Sequence, residues 1–379
     1  MKRIYFDHNA TTPVRAEVLQ AMLPFFRETF GNPSSVHRFG REAHQALEAA
    51  RSQVAAAIRA QPEEIVFTGG GTEADNLALQ GAAAASAKKG RHVITSRLAP
   101  PAVLRACPFL EQQGVAVTYL PVGREGRVSP EDVRKALREE TVLISIMAAN
   151  NETGVLQPIR EIGALARERG VIFHTDAIQA LGKVPVSVAE IPADLVSLSA
   201  HKIYGPKGVG ALYIRKGTRV QPLLYGGHHE RGKRAGTENV AGIVGFGKAC
   251  ALAAAELGEE PARLARLRDH LHRAVVEKIE AVSLNGEGAE RLPNTLNLSF
   301  AYVEGEAIVL GMDMQGVAVA TGSACTSGTL EPSHVLTAMG VEAALAQGSI
   351  RFSLGRDNAS EDVDFAVPAL AEVVARLRA

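Results

Sequence analysis

The sequence predicts an α/β protein, with a large, doubly wound, mainly parallel sheet domain and a smaller α+β domain beside it. Three observations carry this reading. Between about residues 15 and 255, short apolar runs alternate with helical patterns. Beyond about residue 255 that alternation stops and a long amphipathic helix pattern takes over. A chain of 379 residues is also too long for one hydrophobic core. The expected division is residues 15–255 for the large domain, and 1–14 with 256–379 for the small one.

The elements follow in order. Ile65-Val66-Phe67, His92 to Thr95, Val115 to Tyr119, Val142 to Ile146, Val171-Ile172-Phe173 and Leu195 to Leu198 read as buried strands. Pro130 to Glu139 and Ile159 to Arg169 read as helices between them, the second ended by Gly170. The alanine patch at 82–85 reads as a helix end. Such an alternation implies parallel strands joined by helical crossovers. Further on, Leu264, Leu267, Leu271, Val275 and Ile279 share one helix face. Thr295 to Phe300 alternates as a strand. A last helix is expected to start at Ser360, with the serine side chain as its cap, and Pro368 is expected to kink or divide it.

Composition narrows the function. Apolar residues make up 46% and charged residues 22%, ordinary for a soluble globular protein. The 41 basic and 41 acidic residues cancel, so neither nucleic acid nor a membrane surface is expected as a direct partner. No apolar run reaches the length of a membrane span. The segment Met1 to Asp7 meets charge too early for a signal peptide, and a cytoplasmic location is expected. Cys107, Cys250 and Cys325 lie far apart, with neither zinc spacing nor the look of a disulfide framework.

Ligands of such sheets bind beyond the carboxyl ends of the strands, so chemistry is expected first in the residues just after each strand. Thr68-Gly69-Gly70-Gly71-Thr72-Glu73-Ala74-Asp75-Asn76 opens a helix after a strand; it is either an anion site or a flexible turn. Asp176 ends a buried strand, where it needs a cationic partner or serves as a helix cap. Lys202 follows another strand, flanked by Ser199 and His201, both able to bond a phosphate. A lysine that can form a Schiff base, phosphate ligands beside it and an aspartate partner are together what pyridoxal phosphate (PLP) requires. Cys325 lies in a small, polar stretch and reads as a reactive thiol, whereas Cys107 and Cys250 sit among apolar residues and read as packing. Arg351 faces one side of a strand and suits a substrate carboxylate, with an ordinary salt bridge as the other possibility. The loop Gly226 to Thr237 is too polar for a core and could meet an anion or a second subunit.

These segments resemble those of the cysteine desulfurases, within the fold-type-I PLP enzymes. The resemblance runs over essentially the whole chain, through Phe6-Asp7-His8-Asn9-Ala10-Thr11-Thr12-Pro13, Phe30-Gly31-Asn32-Pro33-Ser34-Ser35, Asn150-Asn151-Glu152-Thr153-Gly154 and Ser199-Ala200-His201-Lys202-Ile203-Tyr204-Gly205-Pro206. Gly322-Ser323-Ala324-Cys325-Thr326-Ser327 is similar to the group with the longer loop, which supplies iron–sulfur assembly and transfer-RNA thiolation. The resemblance implies that Lys202 holds PLP covalently and that Asp176 pairs with its ring nitrogen. It gives the ring hydroxyl to Gln179, and the phosphate to Gly71, Thr72, Ser199 and His201. Thr237 would reach the phosphate from the second subunit of a homodimer. Asn151, also a cofactor contact, and Arg351 would orient L-cysteine. Cys325 would take its sulfur as a persulfide, for delivery to acceptors such as an iron–sulfur scaffold or a tRNA-thiolation enzyme.

The sequence departs from the family at one important place. After the strand His92 to Thr95 the family carries a histidine that stacks on the cofactor and moves protons, and here Pro100 stands instead. A prolyl ring neither donates nor accepts a proton, so Lys202 is left to do that work, more slowly. His228 replaces the usual glycine, and both it and His8 are candidates for the missing acid/base. Pro100 also keeps two other readings open: a cysteine lyase or transaminase on the same frame, or a PLP-binding paralogue that docks acceptors.

Overall fold

The computed structural model of the chain describes residues 3–322 and 332–379. Its strands are β1 (Ile4–Tyr5), β2 (Ile65–Thr68), β3 (His92–Ser96), β4 (Ala116–Leu120), β5 (Thr141–Ser145), β6 (Ile172–Asp176), β7 (Leu195–Ser199), β8 (Gly210–Ile214), β9 (Val282–Leu284), β10 (Thr295–Phe300), β11 (Val317–Ala318) and β12 (Ser349–Ser353). All six apolar runs of the first part became strands within a residue or three of their expected bounds.

The large sheet has the order β2-β8-β7-β6-β5-β3-β4. Strands β7, β6, β5, β3 and β4 pair in parallel. Strand β8 runs antiparallel to both neighbours, β2 and β7. One face carries Ile94, Ile144, Phe173 and Val196 against the helices Arg38–Ala57, Ile159–Glu168 and Val240–Glu256. The other carries Val66, Val93, Leu143 and Leu212 against the helix Gly71–Ala85. Both faces are covered, which explains why these strands read as continuous apolar runs.

A second core joins the helices Glu260–Lys278 and Ser360–Arg378 to the antiparallel sheet β12-β10-β9. Leu264, Leu267, Leu271 and Val275 face it from one helix side, as their spacing predicts. Along β10, Leu296, Leu298 and Phe300 enter this core. The alternate residues are polar and buried: Asn297 accepts from Asn285 (2.7 Å), and Thr295 accepts from Asn9 (2.9 Å). This polar face lies where the N-terminal segment crosses between the two cores.

At the last helix the expected cap fails, and Pro368 does not divide the helix. Ser360 is its first residue and not its cap; Asp362 accepts from the Ala359 N–H (3.1 Å) and does the capping. The helix also runs undivided through Pro368. Pro368 is exposed, as is Asp364, whose carbonyl loses its partner to the proline, so water can take that carbonyl.

Candidate active site

The carboxyl ends of β2, β3, β5, β6 and β7 share one rim of the sheet, and the segments at Thr68–Thr72, Asp176 and Ser199–Lys202 lie there, whereas Arg351 stands on β12 of the other sheet. After β2 the chain turns through Gly69 and Gly70 into the helix Gly71–Ala85. Gly70 has φ +150°, a region that belongs to glycine. At Gly71 a Cβ would fall 2.2 Å from Ile178 Cδ1, because the helix start presses on the turn after β6. These residues, with Thr72, Ser199, His201 and Thr11, line an open cavity of about 700 Å³. Ser199 Oγ is buried there without a hydrogen-bond partner. His201 Nδ1 lies 3.1 Å from Thr11 Oγ1. Burial, and then the charge of Lys202, lower His201 to about 4, so its ring is neutral at pH 7. Glu73 also lines the cavity, but Arg234 neutralises it (2.9 Å).

Beside the cavity stand an amine and a carboxyl. Lys202 Nζ donates to the Asn9 and Ala10 carbonyls at 2.5 and 2.7 Å. Asp176, at the end of β6, is buried and accepts from the Ile178 N–H at 2.8 Å. Burial raises it to about 6, while that N–H and the charge of Lys202 pull it back down. Gln179 donates to the Asn9 carbonyl (2.9 Å) and accepts from Lys183 (2.9 Å). The N-terminal segment therefore acts as a hub for the site's side chains.

Arg351 projects from β12 away from Ile350 and Phe352, which enter the second core. It does form an ion pair, with Asp7 at 2.7 Å, and donates to the Asn151 carbonyl at 3.1 Å; its Nε is buried without a partner. Thr237 is exposed on its loop. Cys325 lies outside the described residues. Cys107 and Cys250 are fully buried, and burial pushes Cys107 up to about 11 and Cys250 higher still.

Pro100 caps the short helix Pro101–Leu104 and is half-buried. Neither histidine offered as a substitute stands with it. His8 is buried at the cavity behind Lys202, with Lys183 and Tyr204, and burial lowers it to about 4. His228 is exposed, on a separate cavity with His44 and Arg231. The imidazole beside this segment is that of His334, with Nε2 3.2 Å from the Ala99 carbonyl.

Sequence reasoning missed four residues: His334, Lys183, and Asp75 and Glu230, each inside a segment already marked for other reasons. Lys183 is buried and lowered to about 7 by burial and by Lys202. Glu230 is buried and accepts two bonds from Arg51, both at 2.8 Å. The cue the sequence offered for Lys183 was its place four residues after Gln179, in the stretch of turns that follows β6.

Residues 4–365 match the aminotransferase class-V family. The chain is 56% identical to the cysteine desulfurase IscS of Dictyoglomus turgidum over 379 residues, all of this chain and 96% of that one. It is 53% identical to the cysteine desulfurase IscS of Methanosarcina thermophila over 377 residues, 93% of that chain. Among solved structures, a NifS-like protein superposes with TM-score 0.93 at 39% identity, covering 99% of this chain and 100% of the other. SspA in complex with cysteine superposes with TM-score 0.83 at 37% identity, covering 93% and 99%.

Proposed function

The chain belongs to the cysteine desulfurases of the aminotransferase class-V family, and from that membership we propose how its own residues divide the work. The activity is removal of sulfur from L-cysteine, leaving L-alanine. The observation that carries the assignment of roles is the cradle at Gly69–Thr72, with unpartnered Ser199 Oγ facing it and Lys202 and Asp176 beside it. An anionic group is what that orphaned hydroxyl and the helix start require.

These residues fit PLP. Gly71, Thr72, Ser199 and neutral His201 would hold its phosphate, Asp176 its ring nitrogen, and Lys202 its aldehyde carbon. Gln179 and Asn151 stand on the same rim. Once bound, PLP supplies an electron sink for the bonds at the substrate's α-carbon. Arg351 and Asn151 orient the substrate carboxylate. Lys202 would hold and return the α-carbon proton. Cys325 attacks the substrate sulfur: the substrate's C–S bond breaks, an S–S bond forms on Cys325, and the β-carbon takes up a proton. Alanine and a Cys325 persulfide result, with no outside oxidant. The persulfide would go to an iron–sulfur scaffold or a tRNA-thiolation enzyme.

A homodimer completes this reading. Leu19, Leu23, Phe26, Phe30, Val36 and Phe39 are exposed apolar residues of one stretch of chain, and the Phe30 and Phe39 rings lie 5.7 Å apart. This stretch adjoins the loop of Thr237, since Pro33 and Ser34 share a cavity with His228 and Arg231. A second copy would cover that surface and bring Thr237 to the neighbouring phosphate.

The test is incubation of the purified protein, loaded with PLP, with L-cysteine, measuring alanine, pyruvate and sulfide separately. Alanine should match persulfide formed, and borohydride should fix PLP on the peptide of Lys202. Pyruvate with free sulfide would make the protein a lyase instead.

A further inference from the structure

The helix Gly71–Ala85 presents one carboxyl to the underside of the site. Asp75 is 1% exposed, and neither of its oxygens has a hydrogen-bond partner. Three groups face it from the strands above. His174 of β6 has Nε2 3.6 Å from Asp75 Oδ1. Its two nitrogens are already engaged, by Ser145 Oγ (2.8 Å) and Ser197 Oγ (3.0 Å). Burial lowers His174 to about 3, so it is neutral and offers no counter-charge. Ser197 of β7 also faces Asp75, without reaching hydrogen-bond geometry. The third is another carboxyl, Asp176 of β6.

An ionised carboxylate buried with neither donor nor cation is among the costliest arrangements a fold can hold. Two facing carboxyls avoid it by keeping one proton between them. Geometry decides which keeps it. Asp176 accepts the Ile178 N–H and feels the charge of Lys202. Asp75 has neither. An ionised Asp75 finds no donor, but a protonated one is itself a donor, and the carboxylate it faces can accept.

We propose that Asp75 is a protonated carboxylic acid that donates its O–H to the Asp176 carboxylate. It thereby holds Asp176 in place, and keeps it charged for the ring nitrogen. Burial and the neighbouring Asp176 push the Asp75 carboxyl well above the usual carboxylate range, in the same sense. Asp75 touches neither substrate nor cofactor in this scheme; it is a positioning residue, and its importance to PLP rests on the cofactor reading above.

Two measurements test this, and they fail separately. The first uses the full-length protein stripped of cofactor. Its infrared spectrum at neutral pH should contain the carbonyl band of a buried protonated carboxyl, and Asp75→Asn should remove that band. The second is titration with PLP, followed by absorbance. Asp75→Asn, whose amide still donates to Asp176, should bind PLP nearly as wild type does. Asp75→Leu, similar in size but without a donor, should bind about tenfold more weakly or worse, as loss of a hydrogen bond to a charged group implies. A wild-type spectrum with no band that Asp75→Asn removes would overturn the proposal, and so would Asn and Leu variants of equal PLP affinity. If the Leu variant does not fold, the infrared comparison decides alone. A protein that takes up no PLP would refute the cofactor reading and leave the infrared result to decide on Asp75.

Discussion

Truncating Glu230 asks how the polar loop that carries Thr237 is held to the sheet domain. Glu230 accepts two bonds from Arg51, both at 2.8 Å, and a third from the Phe67 N–H at 2.8 Å. The paired side chains are 4% and 2% exposed. The guanidinium also stacks over the Phe67 ring, 4.8 Å from its centre. Breaking such a buried pair from one side costs about 3–5 kcal/mol, because the remaining charge is stranded. Arg51 keeps a partly exposed partner in Glu48, at 2.9 Å, which places Glu230→Ala near the lower end, about 3 kcal/mol. The backbone refines the expectation. Glu230 has φ +47°, left-handed, which costs a non-glycine residue about 1–2 kcal/mol. Glu230→Gly should therefore be less damaging than Glu230→Ala by about 1 kcal/mol. Arg51→Met with Glu230→Leu should recover much of the loss, since both charges leave together. Urea unfolding of the four proteins, with matched slopes, measures the series. A Glu230→Ala variant within about 1 kcal/mol of wild type, the cost of an exposed pair, would refute the reasoning. So would a double variant no more stable than the single one.

Three further outcomes are expected. In the native protein only Cys325 should carry persulfide or react quickly with alkylating agents, because the Cys107 thiol is raised to about 11 and Cys250 is fully buried; mass spectrometry of labelled peptides reads this, and Cys325→Ala should stop alanine release while PLP colour persists. Pro100→His should speed alanine formation by about tenfold or more, as restored acid/base catalysis does; an unchanged rate would mean that another group, such as His334 beside Ala99, already moves the proton. His8 titrates near 4 in the folded chain, lowered by burial and then by Lys183, against about 6.5 unfolded. The unfolded chain thus binds the proton first as pH falls, so the stability that His8 contributes is whole above about 6.5 and is lost towards 4. Relative to wild type, His8→Gln should gain about 3 kcal/mol between pH 7 and pH 4; a difference that does not change with pH would contradict it.

The sequence by itself determined the parallel sheet and the places where chemistry sits. A strand buried on both faces is a local apolar run, and the residue that follows it must emerge at the rim, so Thr68 to Thr72, Asp176 and Ser199 to Lys202 were legible without any long-range contact. Arg351 was legible as a one-sided strand residue for the same local reason. What only the tertiary structure decided were pairings across long separations. Strand β8 enters between β2 and β7 against their direction. Arg351 meets Asp7, 344 residues away, and Lys202 meets Asn9, 193 residues away. Asp75 faces Asp176 from a different element. Periodicity records which face of an element is apolar, and it does so within one turn or two residues. It carries no record of which polar group the opposite face will find, because that partner is set only when the layers pack and each buried donor or acceptor must be satisfied by whatever lies across the seam.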